Sequence, residues 1–476
     1  MLAGCNLAPD YSRPTGAVPV VLPEGGIYPP AATDAPDITR VGWRDFFLDP
    51  RLQQVIETSL ANNRDLRIAA GNVLQTRAQL RVQRSALLPT ATIGGSATYT
   101  NNPLGAAGAA GGGGALPGGG GVNPGAGVGT GGGSNLEIYS VNAGISAFEL
   151  DLFGRIRNLS RAAQEQVFAS EEAQRSTRIS LIAEIANTWL TMAADQEQLR
   201  LARETLDTFQ QTLDLTTAQF RIGVGSELEV RQAQTSYDAA RADIAALETR
   251  VAQDQNALNL LAGTTIPAEL LPAELAETDY TLDALPANLS SDVLLRRPDV
   301  LRAEHLLIAE SANIGAARAA FFPSISLTGT IGTIGLALSG LFTGGSYTYT
   351  AAPAVSLPIF DGGERQGNLD FARASQQVAL ATYEQTIQTA FREVSDALAQ
   401  RGRIGDQLDA QASRAEAASG AARLSDARFR AGVDSFLVTL DAQRTAYAAE
   451  QQLVTTRLTR ASNLVELYRS LGGGLS

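Results

Sequence analysis

Histidine and cysteine are almost missing from this 476-residue chain, which holds one of each, His305 and Cys5, beside two methionines. That removes the usual ligands of His/Cys metal sites, leaves Ser-His-Asp chemistry one possible base, and excludes a disulfide within the chain. Carboxylate chemistry stays open on this count. Basic charge is short as well. With 37 Lys and Arg against 49 Asp and Glu, the formal charge is −12 and no basic stripe exists to neutralise phosphates, so nucleic acid is not an expected partner. No run of about 18 apolar residues occurs, which excludes a transmembrane helix but says nothing against a membrane β-barrel, whose strands alternate. No Gly-rich phosphate loop follows a strand, so no cofactor is expected and an enzyme is the least expected reading.

What the chain has in quantity is helical pattern. From Arg155 to Ile222, about 68 residues contain neither Gly nor Pro, and Ala202, Leu206, Phe209, Leu213, Thr216 and Phe220 step alternately by four and three, the heptad spacing of a helix–helix seam. At about 1.5 Å per residue this rod is on the order of 100 Å long, wider than a single globular domain. It stops at Gly223, and a second uninterrupted helix is predicted from Ser226 to Leu261. The same stop and start recur at Gly432 and Ser435. Each is read as a tight αα-hairpin in which Gly takes the left-handed position ending one helix and Ser caps the next.

Before the first rod, residues 6–36 read as an extended strap rich in Pro, Gly and Ala. Trp43 to Asn62 reads as one short amphipathic helix, and Asp65 to Leu87 as a longer one stopped by Pro89. A β-hairpin is predicted over 90–152. Its loop, Gly105 to Gly133, is nearly pure Gly, Ala and Pro and is expected to be disordered. In its second strand Tyr139, Val141, Ala143, Ile145 and Ala147 alternate with Ser140, Asn142, Gly144 and Ser146. A second hairpin is predicted over 324–358, where Ile325, Leu327 and Ile331 alternate with Ser and Thr, as do Tyr347 and Tyr349.

The two halves repeat. Asp65–Ile93 aligns without gaps on Asp299–Leu327, matching Ala78 with Ala312, Arg84 with Arg318 and Pro89 with Pro323. Phe220, Arg221, Gly223, Ser226 and Leu228 likewise fall on Phe429, Arg430, Gly432, Ser435 and Leu437. The expected organisation is an N-terminal strap and equatorial segment over 6–62, a first repeat over 63–262, a connection over 263–297, a second repeat over 298–471 and a short tail. The second repeat carries a long helix at 364–430 and a returning one at 434–471.

Four amphipathic strands cannot close a barrel, and open edges cannot face lipid. Either the sheet packs in water on the helices, or several chains pool their strands. Two chains would give about eight strands with a filled interior, three about twelve with room for a lumen. Ser, Thr, Asn and Gly would then face water and Val, Ile, Leu and Tyr lipid, with Tyr99, Tyr139, Tyr347 and Tyr349 at the interfacial girdle. The long helices would continue such a barrel as a conduit, their Gly223 and Gly432 turns at its far end.

These features, taken with several motifs, resemble the outer-membrane efflux proteins, the TolC/OprM-like (NodT-type) exit ducts of tripartite pumps. The motifs are Gly42-Trp43-Arg44-Asp45-Phe46-Phe47, Phe148-Glu149-Leu150-Asp151-Leu152-Phe153-Gly154-Arg155, Leu295-Arg296-Arg297-Pro298-Asp299, Phe321-Phe322-Pro323-Ser324, Leu357-Pro358-Ile359-Phe360-Asp361-Gly362-Gly363 and both turns. Met1-Leu-Ala-Gly-Cys5 resembles the end of a bacterial lipoprotein signal, which makes Cys5 the acylated residue, and Asn6 after it implies sorting to the outer membrane.

The resemblance implies an α+β membrane protein: a homotrimer with a twelve-stranded outer-membrane barrel, four strands per chain, continued by a periplasmic α-helical barrel closed at its tip. It implies passive export of drugs or toxic small molecules, working with a periplasmic adaptor protein and an inner-membrane RND transporter. On positions matching the family's closed tip, Asp441 is the acidic ring residue, Arg444 its neighbouring basic partner, Leu437 part of an apolar constriction and Glu229 a carboxylate that ties the tip. Val438 stands where some relatives carry a second Asp, and Asp434 where some carry an Arg. Arg221, Gly223, Val224, Gly225, Ser226, Arg430, Gly432, Val433 and Ser435 would meet the adaptor. Two other readings compete: an exit duct for type I protein secretion, and a trimeric coiled-coil scaffold, which would leave the four alternating strands unexplained. Read without the family, Asp441 is a solvated helix charge, Arg444 a surface residue and Leu437 core. Arg297-Pro298-Asp299 reads as a structural helix start, and Trp43 and Trp189 as packing residues.

Overall fold

The computed structural model describes residues 6–29, 41–100, 136–275, 280–282 and 290–473. Cys5 and the Gly-rich loop Gly105–Gly133 lie outside these.

The helices and strands repeat with near-equal lengths. In order they are α1 (Trp43–Phe46), α2 (Pro50–Asn62), α3 (Arg64–Ser85), β1 (Ala91–Thr100), β2 (Leu136–Glu149), α4 (Arg155–Arg221), α5 (Glu227–Ala262), α6 (Pro298–Ala319), β3 (Ser324–Gly335), β4 (Tyr347–Ser356), α7 (Glu364–Arg430) and α8 (Phe436–Ser470). The copies α3 and α6 both have 22 residues, α4 and α7 both 67, and α5 and α8 have 36 and 35. Compactness follows another division. One unit gathers both hairpins with residues 76–166 and 307–378, and the other holds 12–75, 167–306 and 379–476. Neither unit is a repeat, because strands from both halves pair into one sheet.

Trp43–Asn62 is two helices, not the single one its pattern suggests. The chain extends at Phe47, which bridges to Thr281, while Leu48 N–H donates to Tyr280 O and Leu282 N–H to Phe46 O. Asp49 then accepts from the N–H groups of Arg51 and Leu52, and Pro50 starts α2. Phe46 and Phe47 are fully buried, and Phe46 stacks on Tyr468 of α8 with centroids 4.2 Å apart. Trp189 is also fully buried, its indole N–H donating to Leu270 O at 3.1 Å.

Within the first unit, the strands form one antiparallel sheet in the order β1-β2-β3-β4. Register places Ile93, Tyr99, Tyr139, Val141, Ile145, Ile331, Leu327, Tyr347, Tyr349 and Val355 on one face. Thr92, Ser96, Ser140, Asn142, Thr328, Thr330, Thr348 and Thr350 lie on the other. All four girdle tyrosines therefore share the apolar face; Tyr99 and Tyr139 touch edge-to-face with centroids 6.1 Å apart.

The alternation in β2 does not run through Ala147 as its sequence suggests. Register shifts between Ile145 and Phe148, and Ala147 has φ 46° with its N–H donating to Thr328 Oγ1 at 3.1 Å. This bulge inserts one residue, which turns Phe148 onto the apolar face opposite Leu327 and Glu149 onto the polar face opposite Ser326. Glu149 then receives a two-point bond from Arg155 at the start of α4, with N–O distances of 3.0 and 2.6 Å.

Candidate functional site

The two αα-turns use the same backbone. Gly223 and Gly432 have φ 82° and 74°, the left-handed region where a side chain costs about 1–2 kcal/mol. Each closes the preceding helix: Gly223 N–H donates to Phe220 O and Val224 N–H to Gln219 O, while Gly432 N–H donates to Phe429 O and Val433 N–H to Arg428 O.

The caps that follow differ. Ser226 and Glu229 form a reciprocal capping box, Glu229 N–H donating to Ser226 Oγ at 3.2 Å and Ser226 N–H to Glu229 Oε2 at 2.8 Å. Glu229 thus ties its own turn. Ser435 occupies the same position but its side chain caps nothing. Three residues on, Val438 stands where the first copy has Glu229, so the reciprocal partner is gone. The second turn is held instead by Arg428, whose guanidinium donates to both oxygens of Asp434 at 2.7 and 2.8 Å. That bond holds the Asp434 carboxyl below the ordinary carboxylate range and raises Arg428. The tie is therefore complete at neutral pH and is lost only as pH falls below that range. At the matching place the first turn has Gln219 and Gly225, where an added Cβ would meet Gln219 Cβ at 3.1 Å.

A direct test of the asymmetry is alanine at each serine. Ser226→Ala is expected to destabilise its hairpin by about 1 kcal/mol and Ser435→Ala by much less, read as amide-exchange protection in the first turns of α5 and α8.

Below the turns the hairpins pack on each other within the second unit. Phe429, Phe436 and Leu440 bury against Ala233 of α5, with Leu213 and Leu215 alongside. Arg444 is not paired with Asp441. Its guanidinium reaches the buried Ser236 of α5, donating to Oγ at 2.9 and 2.7 Å, so it fastens α8 to α5. Arg430 pairs with Asp426 at 2.8 Å, whereas Arg221 is exposed and without an ion-pair partner among the described residues.

Asp441 is also exposed, with no hydrogen bond or ion pair among the described residues. It lines an open groove of about 590 Å³ together with Leu437, Val438 and Ala418. Leu437, one turn earlier on the same face, is 60% exposed, so it is not core. Ile222, Val224, Leu228 and Val433 are exposed as well, giving both turns apolar outer surfaces.

Sequence reasoning missed the most buried charge among the described residues of the second unit. Arg297, 5% exposed, donates to Asp299 at 3.0 and 2.7 Å, to Glu393 of α7 at 2.9 Å and to Ser470 O at the end of α8 at 2.6 Å. Burial disfavours its charge, but Asp299 and Glu393 outweigh burial and hold the guanidinium pKa above its ordinary value. The Arg-Pro-Asp start was visible; the partners from distant helices were not.

The chain belongs to the outer membrane efflux protein family, whose model matches residues 55–264 and 289–473. It is 44% identical over 477 residues to the toluene efflux pump outer membrane protein TtgC of Pseudomonas putida, covering 100% of this chain and 93% of that one. It is 37% identical over 477 residues to the cation efflux system protein CusC of Escherichia coli, covering 99% and 97%. Among solved structures, the open state of the Neisseria gonorrhoeae MtrE outer membrane channel superposes with TM-score 0.85 at 36% identity, covering 99% of both chains. The protein is accordingly an outer-membrane efflux channel, of a transport family rather than an enzyme family.

Proposed function

We propose that three copies pool their sheets into one twelve-stranded barrel and that the duct so formed passively carries small organic molecules outward for an RND-type pump. The carrying observation is the sheet itself. β1 and β4 are its open edges and run antiparallel to each other, so β4 of one copy can pair with β1 of the next without a change of direction. Strands of 10–14 residues meet the length a tilted membrane strand needs. The exposed tyrosine-bearing face suits lipid and the Ser/Thr face a water-filled lumen. Lipid on Cys5 would add a membrane anchor.

The apolar turn surfaces would receive a periplasmic adaptor, with Gly223, Val224, Gly432 and Val433 foremost, and the adaptor would connect the duct to the inner-membrane transporter. Asp441 and Leu437 would form the constriction, since both are free to face a symmetry axis, where converging carboxylates favour cations. Arg444 acts on the gate through Ser236 rather than through Asp441, and Asp434 through Arg428. Organic cargo fits this chain better than soft metal ions. A thioether, thiol or imidazole relay has one Cys, one His and two Met to draw on.

Removing Asp441 and Arg444 together, by alanine at both, is expected to shift the closed–open equilibrium toward open by about tenfold or more, from the loss of the charge-assisted bonds of Arg444 to Ser236, worth about 1.5–3 kcal/mol. Single-channel recording in planar bilayers measures it, and an unchanged open probability would remove both residues from the gate. Deleting the gene should raise susceptibility to organic solvents or antibiotics; an unaltered profile alongside lost export of a secreted protein would replace efflux with protein secretion.

A further inference from the structure

Away from the turns, α4 and α5 meet in a seam that carries two carboxyl groups face to face. Leu199 and Ala202 of α4 bury against Leu247 of α5, with Ile244 and Val251 alongside, and Arg203 pairs with Glu248 at 2.9 Å. Followed toward the end of α5, the same antiparallel register sets Asp254 level with Asp195 of α4, and each carboxyl shifts the titration of the other. Asp254 Oδ2 is buried and meets no donor, and the nearby Asn187 side chain also buries an unpaired Oδ1. Asp254 and Asn187 line one groove of about 470 Å³.

An ionised carboxylate only accepts hydrogen bonds, so two of them in contact repel; one proton placed between them converts the contact into an O–H···O bond. The other charges around the pair do not replace that proton. Arg250, one turn before Asp254, favours ionisation of both carboxyls, and among the described residues it makes no ion pair with either. Arg469 of α8 lines the groove, yet its guanidinium is engaged by Glu466 at 2.5 Å and Glu393 at 3.3 Å. Glu184, at the rim, is a further negative charge.

We infer that Asp195 and Asp254 share one proton and act as an acid-tightened clasp on the α4–α5 seam. With the proton in place the two helices are bonded across the groove, and its loss sets two negative charges against each other in the same space. Burial, followed by the neighbouring Asp195 charge, pushes Asp254 up to about 6, and burial raises Asp195 as well. The sign follows from proton uptake. The closed seam binds more protons than the separated helices between the ordinary Asp range and about pH 6, so its stability falls as pH rises through that window and levels off above it.

Hydrogen exchange of the full chain in detergent, at pH 5 and pH 7.5 and corrected for the chemical exchange rate, tests the clasp at the amides around Asp195 and Asp254. Protection there should be severalfold higher at pH 5, below the roughly tenfold that a carboxyl titrating at about 6 gives between these pH values, because the groove is partly solvated. Asp254→Asn, whose amide donates where the shared proton did, should show the higher protection at both pH values. The same pH response in Asp254→Asn, or weaker protection than wild type at both, overturns the clasp. Infrared titration of the wild-type protein gives a second reading that depends on no variant. A carboxylic-acid C=O band should vanish with a midpoint near pH 6, and its absence at pH 5 overturns the proposal equally.

Discussion

Arg297→Ala should destabilise the second unit by about 3 kcal/mol, within the usual cost of removing one partner from a buried ion pair. The guanidinium supplies every donor that Asp299 and Glu393 receive from it and also bonds the last turn of α8 through Ser470 O. Alanine leaves Glu393, 23% exposed, with Arg469 at 3.3 Å as its remaining cation, and leaves Asp299 with the Val300 N–H. Denaturant unfolding followed by tryptophan emission reads the change, because Trp189 is buried in the same unit. Arg297→Lys should recover only part of the loss, since an ammonium cannot span the carboxylates and the carbonyl with a planar fork. A near-neutral alanine variant would mean that the cluster does not hold α7 and α8 to the start of α6.

The second large effect concerns the sheet. Ile331→Arg is expected to cost about 2–4 kcal/mol in membrane assembly, the penalty for a cation on the lipid face near mid-depth, while the neighbouring Thr330→Arg should assemble and alter conductance instead. The two positions are adjacent in β3 and differ only in the face that register assigns them, Ile331 pairing with Tyr349 and Thr330 with Thr350. Outer-membrane fractionation and the yield of the folded assembly measure the contrast. Equal yields would place both faces in the same environment.

The long-range plan of the fold was legible because it rests on periodicity and punctuation. A span from Arg155 to Ile222 with no Gly or Pro, carrying heptad spacing from Ala202 to Phe220, points to one long helix, and α4 ends at Arg221, one residue short of that. The duplication was legible because gapless alignment means equal helix lengths, which α3 and α6 have. Departures arose wherever distant chain decides the local answer. Phe47 leaves its helix to pair with Thr281, and Ala147 bulges against Thr328, neither of which the local pattern contains.

At the turns the split is similar. Glycine geometry and the Ser226 cap follow from residues within a few positions. Ser435 was expected to cap its helix in the same way and does not; the residues show only that Val438 lacks the carboxylate with which Glu229 completes the first box. Arg444 bonding Ser236 across 208 positions was not, and neither was Arg297 reaching Glu393 and Ser470. Side-chain partners of that separation follow from how helices pack, which the composition of one helix leaves open.

The most direct measurement of the account is conductance block by a small, charged, membrane-impermeant thiol reagent on single-cysteine variants of β3 in planar bilayers, with Cys5 replaced. Thr330→Cys and Thr328→Cys should react and reduce the current, because in the proposed barrel their face lines the water path, while Ile331→Cys and Leu327→Cys should be protected by lipid. Block at Ile331 and Leu327 with none at the threonines would contradict the barrel, and with it the duct.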